Sequence, residues 1–222
     1  DFFHLVDNNI KLYGFASKSN NGKPNWAQIN AMHVLKDPDI ALVSLTGGAG
    51  SGKTFLAIAA ALEQVDKFRQ ILISRPPIQL GDKDRLGFMP GDATEKLRRW
   101  MRPIYDNLDI IKYLHPDKRA QIEELQNRNR IEILDMDAIR GRSIYRCFVI
   151  LDEIQNLKPK EVLTITTRYG EEAKIVVGGD FSLQHCRRKD DALPGAAFGD
   201  AHHDRRVVCG QGAGGGDPGH RG

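Results

Sequence analysis

The chain has 222 residues, enough for a full hydrophobic core and one domain with short appendages. With 41% hydrophobic residues, 27% charged residues and a net charge of +3, it permits a nucleic-acid partner without demanding one. Cys147, Cys186 and Cys209 form neither a metal spacing nor a disulfide framework, and no apolar run approaches a membrane span, so a cytoplasmic protein is the expectation.

Residues 1–23 hold little periodicity and end in the turn-rich run Ser17-Lys18-Ser19-Asn20-Asn21-Gly22-Lys23. They read as a linker or the remnant of a preceding domain, and a start at Asp1 reads as a fragment. Apolar residues at helical spacing predict a helix over Asn25–Leu35, with Trp26 in the core and a stop at Lys36-Asp37-Pro38-Asp39. Ile40–Leu45 is β-branched and apolar, a buried strand. Thr54–Val65 is a strong helix former. Gln70–Ser74 is a second strand, stopped by Arg75-Pro76-Pro77, and residues 78–91 form a long glycine-rich loop of the kind that usually has a function. Helices are predicted over Ala93–Leu108, with a break near Pro103, and over Pro116–Arg130.

Ile131–Leu134 reads as a short strand, and Cys147–Leu151 as an apolar strand ending in Asp152-Glu153. Pro159 opens a helix reaching Tyr169, and Ala173–Val177 is another buried strand before Gly178-Gly179-Asp180. Apolar strands alternating with helices predict an α/β fold with a parallel sheet covered on both faces. Ligands then gather at the carboxyl ends of the strands, where Gly47, Arg75, Asp152 and Asp180 fall. Residues 181–222 are glycine-dense and lack Ile, Tyr, Trp, Asn, Glu and Thr, which predicts a disordered tail unable to supply strands.

The chemistry centres on Gly47-Gly48-Ala49-Gly50-Ser51-Gly52-Lys53-Thr54, a G-x-x-x-x-G-K-[ST] run between a strand and a helix. Its glycines let backbone N–H groups cradle phosphates at a helix N-terminus. Lys53 is placed to reach the β- and γ-phosphates of a nucleoside triphosphate, and the Thr54 hydroxyl to ligate Mg²⁺. Asp152, at the tip of its strand, is the second group expected to hold Mg²⁺, through water. Glu153 beside it can orient and deprotonate an attacking water, which argues for hydrolysis over binding alone.

Further blocks share a single pattern: Ser74-Arg75-Pro76, Leu86-Gly87-Phe88-Met89-Pro90-Gly91-Asp92, Glu95-Lys96, Trp100 to Leu108, Ile139-Arg140-Gly141-Arg142-Ser143 and Leu151 to Asn156. With the phosphate loop they stand in the order of the PhoH-like ATPases, which the chain resembles from about Asn25 to Asp180. The resemblance implies a P-loop NTPase with a RecA-like core akin to superfamily 1 helicases, sometimes preceded by a PIN ribonuclease domain, and a domain spanning residues 24–180. It implies ATP hydrolysis coupled to RNA or DNA, and assembly into a ring, a hexamer on the family's pattern. Gln28 matches a family glutamine similar to the adenine-reading glutamine of helicases, its alternative being an exposed polar residue on a helix. Arg140 and Arg142 match an Arg-Gly-Arg that meets phosphate or nucleic acid, or serves a neighbouring subunit as an arginine finger, unless they are solvated surface arginines. Gln155 is similar to the last letter of the Asp-Glu-x-Gln helicase box, and Asp180 to the acid of a Gly-Asp pair at the nucleotide.

The family pattern continues from Gly-Asp to a glutamine and a further strand; here Gln184 stands one position late and nothing beyond it matches. The expectation is an aberrant end lacking the core's last strand. Two other readings therefore stand beside the ATPase: a nucleotide-dependent binding module with little turnover, and a P-loop kinase, for which no lid or acceptor site is evident.

Overall fold

The computed structural model describes residues 26–76, 93–168, 170–180 and 207–211. Six parallel strands form one sheet: β1 (Leu42–Thr46), β2 (Gln70–Ser74), β3 (Ile131–Leu134), β4 (Cys147–Leu151), β5 (Lys174–Gly179) and β6 (Val207–Gln211), in the order β3-β2-β4-β5-β1-β6. Every pairing is parallel, so all carboxyl ends lie along one edge.

The helices are α1 (Trp26–Lys36), α2 (Lys53–Glu63), α3 (Ala93–Trp100), α4 (Arg102–Leu114), α5 (Pro116–Asn127), α6 (Met136–Arg140) and α7 (Pro159–Thr166). Alternation along each strand divides the core in two, because successive side chains leave opposite faces of a sheet. Val43, Ile71, Ile73, Phe148, Ile150 and Val176 pack with residues of α1, α2, α4 and α5. Leu42, Leu72, Val149, Leu151, Ile175 and Val177 pack with residues of α6 and α7. Phe148 is fully buried and meets Phe68 edge-on, with ring centroids 5.3 Å apart. α2 is buried from Leu56 through Leu62, and its alanines let it lie close against the sheet.

The predicted break in the helix from Ala93 falls at Met101, buried and holding the N-cap of α4, while Pro103 takes a first-turn place where its missing N–H costs nothing. α6 was not read from the sequence; Asp135 starts it by accepting a hydrogen bond from the Ala138 N–H at 2.6 Å.

Two expectations are corrected. Trp26 is 49% exposed, because it is the first residue of α1 and the buried face begins at Ile29. The segment 181–222 does supply a strand: β6 pairs with the outer edge of β1, Leu42 against Val207 through Thr46 against Gln211. Val207-Val208-Cys209 is enough β-former to satisfy an edge whose N–H and C=O groups otherwise lack partners. The rest of that segment, the linker at 1–23 and the loop motif at Leu86–Asp92 lie outside the described residues.

Candidate nucleotide site

The phosphate loop joins β1 to α2, and its turn requires glycine at two points. Gly50 (φ 76°) and Gly52 (φ 86°) occupy the left-handed region. A Cβ added at Gly48 or Gly50 would meet nothing within 4 Å, so open space lies over the loop. The Gly47 N–H bonds the Gly179 carbonyl at 3.3 Å, which ties the loop to the end of β5. Lys53 Nζ folds back onto the carbonyls of Gly47 (2.7 Å) and Gly48 (3.0 Å), with the Ser51 hydroxyl at 3.4 Å.

β4 lies two strands from β1 and delivers its acids to the same place. The Thr54 hydroxyl donates to Asp152 Oδ1 at 2.8 Å. Burial pushes the Asp152 carboxyl above its ordinary pKa, opposed by the Thr54 hydrogen bond and the Arg75 charge. A hydroxyl and a carboxylate in contact, both hard oxygen donors beside a phosphate loop, fit Mg²⁺, which takes one or two protein ligands and fills its shell with water and phosphate. Among the described residues no cluster of three or more His, Cys, Asp and Glu offers another metal site.

Glu153 occupies the left-handed region (φ 55°, ψ 40°), a costly conformation for a residue with a Cβ. That turn directs its carboxylate beside Asp152 rather than to the opposite face. Gln155 Nε2 donates to Glu153 Oε2, and Gln155 Oε1 accepts from the Asp180 N–H at 3.2 Å. Gln155 thus bridges Glu153 to the end of β5. Gln28 reaches the loop from α1, Nε2 donating to the Ser51 carbonyl at 3.1 Å.

The structure therefore brings Gln28, residues 47–54, Asp152, Glu153, Gln155 and Asp180 together. It does not bring Arg142 there: that guanidinium bonds Glu132 at 2.8 Å on β3, the far edge strand. Arg140 ends α6, and its side chain lies outside the described residues.

The residue left without a role by the sequence is Arg75, at the carboxyl end of β2. Its guanidinium stands 4.0 Å from Asp152 Oδ2 and 3.6 Å from Glu153 Oε1, and lies 5.3 Å from the centroid of the Trp100 ring. Trp100 Nε1 donates to the Arg75 carbonyl at 3.1 Å. The signal in the sequence was its place at a strand's carboxyl end.

A family model described as PhoH-like protein matches residues 23–197. The chain belongs to the PhoH-like family. The match runs past Asp180, where the sequence motifs had ended it. The protein PhoH2 of Bacillus subtilis (strain 168) is 42% identical over 180 residues, which cover 79% of this chain and 38% of that protein. A PhoH-like protein of the same organism is 38% identical over 144 residues, 64% of this chain and 43% of its own. This PhoH-like chain thus spans about two fifths of the length of these relatives. Among solved structures, the large terminase of a thermophilic bacteriophage aligns over 69% of this chain and 38% of its own at TM-score 0.42 and 13% identity. Family, parallel sheet and phosphate loop together make this PhoH-like chain a P-loop nucleotide-binding domain. None of its described helices is long and apolar enough to cross a membrane.

Proposed function

We propose that this domain binds ATP with Mg²⁺ and hydrolyses it, coupling the reaction to the binding or unwinding of RNA or DNA. The observation that carries the reading is the 2.8 Å contact between Thr54 and Asp152, with Glu153 turned in beside them. Thr54 and Asp152 are the residues that would hold Mg²⁺, which when bound neutralises charge developing on the phosphates. Lys53 leaves its loop carbonyls for the β- and γ-phosphates, a charge-assisted contact stronger than the neutral ones it replaces. Glu153 accepts the proton of the attacking water, and Gln155 holds the far oxygen of its carboxylate. Gln28 reads the adenine edge with its amide, which its contact with the loop at Ser51 supports, and Asp180 stands at the nucleotide beside Gln155.

Nucleic acid as partner, a ring with Arg140 or Arg142 reaching a neighbour, a cytoplasmic setting and a preceding domain joined through residues 1–23 are parts of the same proposal. The binding-module alternative drew on a core without its last strand; β6 covers that edge of β1, and hydrolysis is the favoured reading.

Glu153→Gln separates the two. The amide keeps size and hydrogen bonding but takes no proton, so phosphate release should fall about 10²–10⁴-fold while ATP affinity stays near the parental value. The assay runs with and without added RNA and DNA. Parental turnover in the variant would remove Glu153 as the base, and a rate indifferent to both polymers would remove the coupling.

A further inference from the structure

Arg75 is nearly buried, its side chain only 17% exposed, yet among the described residues none of its side-chain N–H groups meets an acceptor at hydrogen-bond distance. Its two ion pairs are long, 4.0 and 3.6 Å, and its Nε is buried without a partner. A guanidinium has five donors in a rigid fork; the buried Nε–H of Arg75 is unmet, which is costly, and its terminal N–H groups, only loosely paired, are open to another acceptor. Such a group is retained when an anion completes it. The stem is fixed on both sides: Trp100 stacks beside the guanidinium and bonds the Arg75 carbonyl. The fork is therefore presented, not folded away.

Its position names the anion. One carboxylate separates Arg75 from the phosphate loop, since Asp152 takes the Thr54 hydroxyl on Oδ1 and faces Arg75 with Oδ2. Glu153, which accepts the water's proton in the reading above, lies on the other prong. A group between Thr54 and Glu153 meets the end of the nucleotide that reacts, not its base or sugar.

We propose that Arg75 binds the terminal phosphoryl group of the nucleoside triphosphate, as an arginine supplied by the same chain. This rests on the hydrolase reading. Water oxygen bonds to the terminal phosphorus, the bond to the bridging oxygen of the diphosphate breaks, and the water's proton passes to Glu153. Arg75 exchanges its long ion pairs for phosphoryl oxygens and steadies the charge spread over them. Arg142, held by Glu132, is not needed for that contact within the chain.

The test uses the whole chain and compares Arg75→Gln and Arg75→Lys with the parent. Calorimetry gives affinities for a slowly hydrolysed ATP analogue and for ADP, and phosphate release gives turnover. Arg75→Gln should weaken the triphosphate about 10-fold or more, leave ADP within about twofold, and lower turnover about 10³-fold. Arg75→Lys keeps charge and stem, so it carries the test if the glutamine variant does not fold; it should lie between the two. Free guanidinium should restore part of the turnover of Arg75→Ala, which a merely structural role would not allow. Equal losses for both nucleotides, or no loss for either, would overturn the assignment while leaving the parent's hydrolysis intact. A parent that prefers the triphosphate but releases no phosphate would remove the hydrolase reading, and Arg75 would then be judged on the ratio of the two affinities. A parent that binds neither nucleotide would remove both.

Discussion

The most constrained position next to the chemistry is Gly179. A Cβ there would stand 2.9 Å from Gln155 Oε1 and 3.2 Å from Ile154 Cγ1. The crowded glutamine atom is the far end of a flexible side chain, so the fold can absorb a methyl by expelling it. Gly179→Ala should therefore leave the sheet intact and pull Gln155 off Glu153. We expect turnover about tenfold lower with ATP affinity close to parental, as for a residue that orients a base rather than binds substrate. Steady-state rates beside a binding isotherm check this, and equal losses in both would show that the loop itself had moved. No sequence pattern announces this arrangement. The left-handed turn at Glu153 and the tight face of Gly179 exist only once β4 and β5 lie side by side.

At the scale of elements, α1 is joined to the sheet by a buried lysine. Lys174, first residue of β5, donates to the Asp37 carbonyl at 2.6 Å and the Val34 carbonyl at 3.1 Å, satisfying groups that the end of α1 leaves open. Burial lowers its pKa from 10.5 to about 8. Between those values the unfolded chain holds a proton that the folded chain has released, so this residue's contribution to stability rises with pH across that window. Below about 8 both states carry the proton and the full cost of burying it is felt. Urea midpoints at pH 7.5 and 9.5 should diverge in the parent by more than in Lys174→Met, and parallel shifts in the two would refute the assignment. β6 provides a second test at this scale: backbone amides of Val207–Gln211 that bond β1 should exchange slowly, and free exchange throughout would detach the strand.

For the molecule as a whole, much of the architecture was legible because parallel strands buried on both faces need no alternation. Cys147–Leu151 is a continuous apolar run and Gln70–Ser74 has an unbroken apolar centre, and their bounds agree with the structure. The phosphate loop and its acids were legible because glycine, lysine and a strand-end carboxylate carry their chemistry in their order. What the sequence hid depends on partners far along the chain. Val207-Val208-Cys209 looks too short in glycine-dense surroundings until the open edge of β1 receives it. Arg75 becomes informative only when Trp100 and the two acids surround it.

The strand order also sets a timetable. β1 precedes the phosphate loop, yet its neighbours are β5 and β6, so Leu42 waits for Ile175 on one side and Val207 on the other. At ribosomal speeds that interval lasts on the order of ten seconds, during which an early apolar strand has no native strand partner. Contacts this distant in sequence form slowly and leave edges open to wrong pairing. The nucleotide pocket is among the last parts of the domain to exist, and a nascent chain gains no protection from a nucleotide until β5 has left the ribosome.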